Sequence, residues 1–295
     1  MERIRNLLRG SVYLVRGTIK AVQIGHLFPA GSRRAPGPAP GGTTETPLNT
    51  RRREINRFTH SVHSLPLAGL DRPLSLLHLS DAHVRGVGPW LRDLAGHLRP
   101  MRPDAVLLTG DMVTKHWTEE AARALLEALP PAPLGRFAVM GNWEHWAGAD
   151  PESWGRLLAE YDVRLLMNEA VDLGPIGLAG TDDLLAGPVS SETMASTLAA
   201  LPAGKPGVVM SHSPAAFPLL SGGADLVLSG HAHGGQIRVP LAGSFFVPRG
   251  TDDYVAGWFR EGDAHLFVSR GIGWSLAPLR WRCPPEIAEI RLTPA

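Results

Sequence analysis

Residues 226–236 read LVLSGHAHGGQ, and the junction inside that stretch decides the architecture. A short apolar run passes through Ser229 and Gly230 straight into two histidines, His231 and His233. A continuous apolar run of this length, bounded by Gly, reads as a strand covered on both faces. The polar residues just past it fall at the strand's carboxyl end, where open α/β sheets bind their ligands.

Working outward, the same junction recurs. LLHLS precedes Asp81 and His83, AVLLTG precedes Asp111, FAVMG precedes Asn142 and VVMS precedes His212. Each residue alone has an ordinary reading as turn chemistry or a hydrogen-bonded histidine. Five coincidences at one structural position argue for a site. The set holds two Asp, one Asn and four His, a donor inventory that suits Mn, Fe or Zn without thiolate. Strands are expected at 74–79, 105–109, 136–140, 176–180, 207–211 and 225–229. Helices between them are expected to start at Thr118, at Asp150 before Pro151 and at Ser213 before Pro214. The order is α/β, with FFVP, HLFVS and EIAEIRL adding strands in the last third.

Composition sets the limits. The chain has 295 residues, 44% hydrophobic and 19% charged, enough apolar content for a sizeable core. Its one cysteine excludes an internal disulfide and thiolate zinc clusters. The net charge of +1 conceals a division. Residues 1–60 carry eleven Arg and Lys against three Asp and Glu, a surplus of +8 that leaves −7 for the rest. Residues 1–28 read as one amphipathic helix with Arg5, Arg9, Arg16 and Lys20 opposite an apolar stripe, the pattern of an anchor on an anionic membrane surface. Arg16 and Lys20 interrupt any spanning run. Residues 29–57 form a Pro/Gly-rich linker, and 58–295 the globular body. The expected location is peripheral, on the cytoplasmic face of the membrane, with a soluble cytoplasmic protein as second choice. An acidic body without a basic stripe disfavours nucleic acid, and no obligate protein partner is evident.

Asp81-Ala82-His83, Gly110-Asp111, Gly141-Asn142-Trp143-Glu144, Ser211-His212 and Gly230-His231-Ala232-His233 resemble the five blocks of the calcineurin-like metallophosphoesterases. The match covers about residues 72–292. With Pro285, Glu286 and Ile287 near the end, it most resembles the bacterial branch of membrane-associated phosphodiesterases, relatives of the UDP-diacylglucosamine pyrophosphatases. The resemblance implies a four-layer sandwich of two mixed β-sheets flanked by helices. It also implies two divalent metals. Asp81, His83, Asp111 and His233 would hold one; Asp111, Asn142, His212 and His231 would hold the other, with Asp111 bridging. Two cations about 3.5–4 Å apart can clamp a phosphate and activate a bridging water as hydroxide. The implied activity is hydrolysis of a phosphodiester or pyrophosphate, on a lipid-linked substrate.

One position departs from that pattern. The family places His directly after the Asn, to protonate the leaving group, and here Trp143 stands there. Indole cannot transfer a proton at neutral pH. His145 is expected to act as the substitute acid, with Glu144 a weaker candidate and His116 a further phosphate contact; a second reading is an activated ester, such as a phosphoanhydride, whose leaving group needs little protonation. The competing reading is a catalytically silent module that binds metal and a partner. Asp182 and Asp183 are read as a turn or a site rim, His78 as a core histidine, and Trp90, Trp117 and Trp146 as core or lid, with the lining of an apolar acyl or base pocket as the alternative. Arg238, Arg249 and Arg280 carry no local distinction, and Cys283 reads as inert.

Overall fold

The computed structural model describes residues 11–14, 22–27, 36–48, 54–240 and 243–295. In chain order, β1 (Ser11–Leu14), β2 (Val22–Leu27) and β3 (Thr43–Pro47) precede β4 (Thr59–Leu67) and β5 (Leu74–Leu79). Then follow α1 (Pro89–Leu98), β6 (Ala105–Leu108), α2 (Glu119–Glu127), β7 (Arg136–Ala138), α3 (Asn142–Trp146), α4 (Pro151–Ala159) and β8 (Val163–Leu165). The second half runs β9 (Glu169–Asp172), β10 (Gly177–Gly180), α5 (Ser191–Ala199), β11 (Gly207–Met210), α6 (Phe217–Leu220) and β12 (Leu226–Ser229). Short strands β13 (Arg238–Val239), β14 (Gly243–Ser244) and β15 (Phe246–Pro248) lead to β16 (Gly257–Glu261), β17 (Ala264–Val268) and β18 (Glu286–Pro294).

Two mixed sheets result. One has the order β3-β4-β18-β5-β6-β7-β8, the other β16-β17-β12-β11-β10-β9. In each, the site-bearing strands are parallel neighbours: β5, β6 and β7 in the first, β11 and β12 in the second. Alternation along each strand explains the layers. In β6, Ala105 and Leu107 enter the core between the sheets, while Val106 and Leu108 enter a core shared with α1, α2 and α4. In β12, Leu226 and Leu228 face the first sheet, while Val227 packs with Phe217 and Leu220 of α6. Helices, sheet, sheet and helices form the expected four-layer sandwich. The last strand, β18, lies between β4 and β5, so the chain's end completes the middle of the first sheet.

The predicted caps hold at two helices. Thr118 accepts the amide of Ala121 at 3.2 Å, and Asp150 accepts that of Ser153 at 3.0 Å. At the third, Ser213 starts only a 3-10 turn and the four-residue α6. Its side chain caps no amide, and its hydroxyl donates to Asp183 Oδ2 at 2.9 Å.

The N-terminal segments differ from their sequence reading. Residues 11–14 and 22–27 are antiparallel strands, β2 also pairing with β15, where one continuous helix was expected. The β-branched and aromatic residues Val12, Tyr13, Val22 and Ile24 favour extended backbone once a partner strand is offered. The rest of residues 1–28 lies outside the described residues. Part of the linker is ordered too. Gly37 bridges to Trp258, and the Thr-rich β3 pairs antiparallel with β4 as a wholly exposed polar edge. Among the described residues no helix is long and apolar enough to cross a membrane.

Candidate metal centre

The carboxyl ends of β5, β6 and β7 meet those of β11 and β12, and the loops there carry all seven expected ligands. Loop-to-loop bonds extend the parallel ladder past its ends. The Asp81 amide donates to Gly110 O at 3.0 Å and the His83 amide to Asp111 O at 2.9 Å. Glycine makes the approach possible: a Cβ on Gly230 would overlap Ser80 and Asp81, and one on Gly141 would overlap Asp111. Five of the seven candidate ligands sit in the left-handed region, Asp81 at φ +56°, His83 at +46°, Asp111 at +55°, His231 at +67° and His233 at +49°. That conformation costs about 1–3 kcal/mol per non-Gly residue and concentrates where function demands it.

All seven side chains are buried. They form two trios, Asp81 with His83 and His233, and Asp111 with His212 and His231, the ligand atoms of each trio lying within 4.8 Å of one another. His83 Nε2 is 2.9 Å from His233 Nε2, which is 3.4 Å from Asp81 Oδ1. In the second trio His231 Nδ1 lies 3.2 Å from His212 Nε2, and Asn142 Oδ1 lies 3.2 Å from the same nitrogen. Asp111 stands between them. Its Oδ2 is 3.6 Å from His83 Nε2 and 3.3 Å from His212 Nε2, while its Oδ1 accepts the Trp143 amide at 2.8 Å.

Neighbours fix which histidine nitrogen faces the centre. Thr109 O, 2.7 Å from His212 Nδ1, can only accept, so Nδ1 carries a proton and Nε2 is the nitrogen turned toward the centre. Arg249 O does the same for His231 Nε2 at 2.7 Å, freeing Nδ1. Both oxygens of Asp81 accept the His231 amide at 3.0 Å, so the second trio's backbone helps to orient the first.

Electrostatics describe a set of groups short of positive charge. Burial pushes the Asp81 carboxyl above its usual range and the Asp111 carboxyl up to about 6. Burial pushes His83 and His233 well below the usual range and His231 down to about 4. His212 is the exception: burial alone would lower it, but the Asp111 carboxylate beside it holds it well above. Neutral imidazoles crowded against carboxylates, with ring nitrogens of His83 and His233 2.9 Å apart, are a donor set that divalent cations would satisfy. The residues fit two such ions.

Several residues take roles that the sequence did not disclose. Glu144 is fully buried and accepts four backbone amides, those of Asp111 and Gly141 at 2.8 Å, Met112 at 2.6 Å and Val113 at 3.2 Å. It braces the loops and is not free to act as an acid. His145 Nε2 lies 2.7 Å from Asp182 Oδ1, which makes Asp182 its partner. Arg249 contributes its carbonyl, as shown above. Arg280 is buried 3.4 Å from His233 Nδ1 and donates to the carbonyls of Arg270, Gly271, Gly273 and Cys283. Cys283 is also buried, its thiol 3.3 Å from His233 O. His116 is exposed at φ +67°. His78 is a core histidine, 2.7 Å from Thr109 Oγ1. Trp90 and Trp117 pack on the core, while Trp146 is exposed against the edge of Trp143.

The likeness to known proteins agrees with this geometry. The family model for the calcineurin-like phosphoesterases matches residues 74–235. Phosphodiesterase YaeI of Escherichia coli (strain K12) is 33% identical over 236 residues, covering 75% of this chain and 82% of that one. The uncharacterized metallophosphoesterase YkuE of Bacillus subtilis (strain 168) is 29% identical over 227 residues, 74% of this chain and 78% of its own. Among solved structures, TT1561 of Thermus thermophilus aligns with a TM-score of 0.41 and 14% identity, over 68% of this chain and 90% of that one. The matched span of the family model runs from β5 to the turn after β12 and contains both trios. The chain belongs to the calcineurin-like phosphoesterases and is a metal-dependent phosphoesterase.

Proposed function

We propose that the chain hydrolyses phosphodiester or pyrophosphate bonds at a centre of two divalent cations. The ligands are Asp81, His83, Asp111 and His233 on one side and Asp111, Asn142, His212 and His231 on the other. The observation that carries this is the position of Asp111 Oδ2 within 3.6 Å of a histidine from each trio. Two cations, when bound, supply an activated water and neutralise charge on the phosphate. The protein's own groups set the geometry. Thr109 and Arg249 carbonyls aim His212 and His231, and the Trp143 amide holds Asp111. Trp143 takes the position of the family's proton donor, and His145 supplies the proton. Its Nε2 is committed to Asp182, which orients the ring and favours its protonated form, in which Nδ1 carries the transferable proton. Mn, Fe and Zn all suit these donors.

The substrate is lipid-linked and the protein works at the cytoplasmic face of a membrane. The support is the surplus of +8 on residues 1–60, which attracts anionic lipid whatever secondary structure the arm adopts. Metal content and turnover measured on one preparation test the whole reading, with Mn²⁺, Fe²⁺ or Zn²⁺ added and with an aryl phosphodiester and UDP-diacylglucosamine as substrates. Turnover with two ions per chain is expected. Two ions and no turnover of either ester would instead support the silent module. Removing residues 1–35 should abolish sedimentation with anionic vesicles and spare turnover of the soluble ester; unchanged sedimentation would sink the membrane assignment.

A further inference from the structure

The GHAHGGQ stretch ends in Gln236, which ligates nothing in either trio yet is held at φ +49°. Its side chain clamps a distant loop. Nε2 donates to Ser275 O at 3.2 Å and Ala277 O at 3.0 Å, and Oε1 accepts the Ser275 amide at 2.9 Å. Between those anchors Leu276 is forced to φ +52°, an unusual conformation for a bulky apolar residue, and it is half exposed. Three hydrogen bonds therefore hold a leucine where neither backbone preference nor burial would put it.

What Leu276 borders is a cavity of about 250 Å³, lined also by Ile237, Phe245, Phe246, Pro248 and Ala277. His233 lines it as well, so the cavity opens beside the first trio. Its polar lining is slight, and Leu279 and Trp281 add exposed apolar surface nearby in the chain. Pockets for whole drug-sized ligands measure roughly 300–1,000 Å³. This one is suited to a single apolar group attached to something held at the metal centre.

We infer that the cavity bounded by His233, Ile237, Phe246 and Leu276 is a specificity subsite for an apolar substituent of the phosphoester, given that phosphoester hydrolysis is the reaction of the adjoining centre. Gln236 is a positioning residue, which fixes the Leu276 wall relative to His233. The substrate class is a phosphoester carrying an acyl or aryl group within a few bonds of phosphorus.

Calorimetric binding of alkylphosphonates, methyl to octyl, to the metal-loaded full chain tests this without turnover. Affinity should rise about fourfold for each methylene buried, then level off when the cavity is full. Leu276→Gln should compress that gain to less than half, and Ile237→Trp, which fills the cavity instead of opening it, should bring the plateau at a shorter chain. Phenylphosphonate distinguishes the sources: a gain equal to that of hexylphosphonate assigns an aryl group, and a gain confined to alkyl chains assigns an acyl group. Methylphosphonate binding with no dependence on chain length would overturn the subsite and leave the hydrolytic reading standing. No binding of methylphosphonate would defeat both.

Discussion

The amide of Asp111 donates to Glu144 Oε2 at 2.8 Å, which ties the residue standing between the two trios to a carboxylate that takes no part in either. Three more amides, of Met112, Val113 and Gly141, end on the same carboxylate. The loops after β6 and β7 thus share one buried anchor. Glu144→Gln is not a conservative change here, because an amide NH₂ would face donors. Each buried donor left unpaired costs about 1–3 kcal/mol. Both Glu144→Gln and Glu144→Ala should lower stability by about 3 kcal/mol or more, read from denaturant unfolding with metal present. A loss near zero would show that the carboxylate is dispensable.

Asp111 itself should be the least replaceable ligand. Its two oxygens have separate duties, Oδ1 on the Trp143 amide and Oδ2 between His83 and His212. Asp111→Ala should drop the metal content from two ions to one or fewer and reduce turnover by about 10²-fold or more, since charge stabilisation by such ions amounts to several kcal/mol. His78→Gln is the contrasting substitution, a buried histidine on Thr109 and outside the trios, which should lose stability and keep both ions. Elemental analysis of the purified variants decides. Two ions retained in Asp111→Ala would remove it from the bridging position.

Metal binding should strengthen as pH rises through about 5–7. Without cations, burial holds Asp111 up to about 6, so the folded protein binds a proton there that the unfolded chain has already lost. That group therefore stabilises the metal-free fold at low pH, and its contribution falls as pH climbs from near 4 to about 6. His212, held high by Asp111, acts in the same direction. Cations must displace these protons, whereas His83, His231 and His233 are already neutral and release none. The difference in Tm with and without chelator should accordingly be larger at pH 7.5 than at pH 5.5. Equal differences at the two values would mean that binding displaces no protons in that range.

Much of the centre was legible because a parallel strand ends abruptly and the next residue is exposed to the crevice. LLHLS-Asp81 and LVLSG-His231 reveal both strand and site in one phrase. What a phrase cannot reveal is which distant carbonyl meets a histidine. Thr109 O on His212 and Arg249 O on His231 follow from how the two sheets are set together, as does the carboxylate of Glu144 beneath four amides. The arm failed for another reason. Val12 and Val22 fit a helical stripe as well as a strand, and pairing of Val22–Leu27 with β15, more than 200 residues away, is invisible to local periodicity. The polar TTETP of β3 likewise has no apolar alternation, because it forms an exposed edge.

His145 and Asp182 offer the sharpest test of catalysis. Their 2.7 Å contact holds the imidazole above its usual range, first through that hydrogen bond and further through the charge of Asp182. A protonated His145 stabilises the fold below about pH 6.5, and the contribution is lost as pH rises through its folded value. If its proton goes to the leaving group, turnover falls over the same rise. Asp182→Asn should move the falling limb of the rate profile to lower pH while metal content stays at two. His145→Ala should remove that limb and cost about 10²–10⁴-fold on esters with a poor leaving group, with far less loss on an aryl ester whose leaving group needs no proton. Equal losses on the two kinds of ester would reject the proton transfer and leave His145 a packing residue of α3.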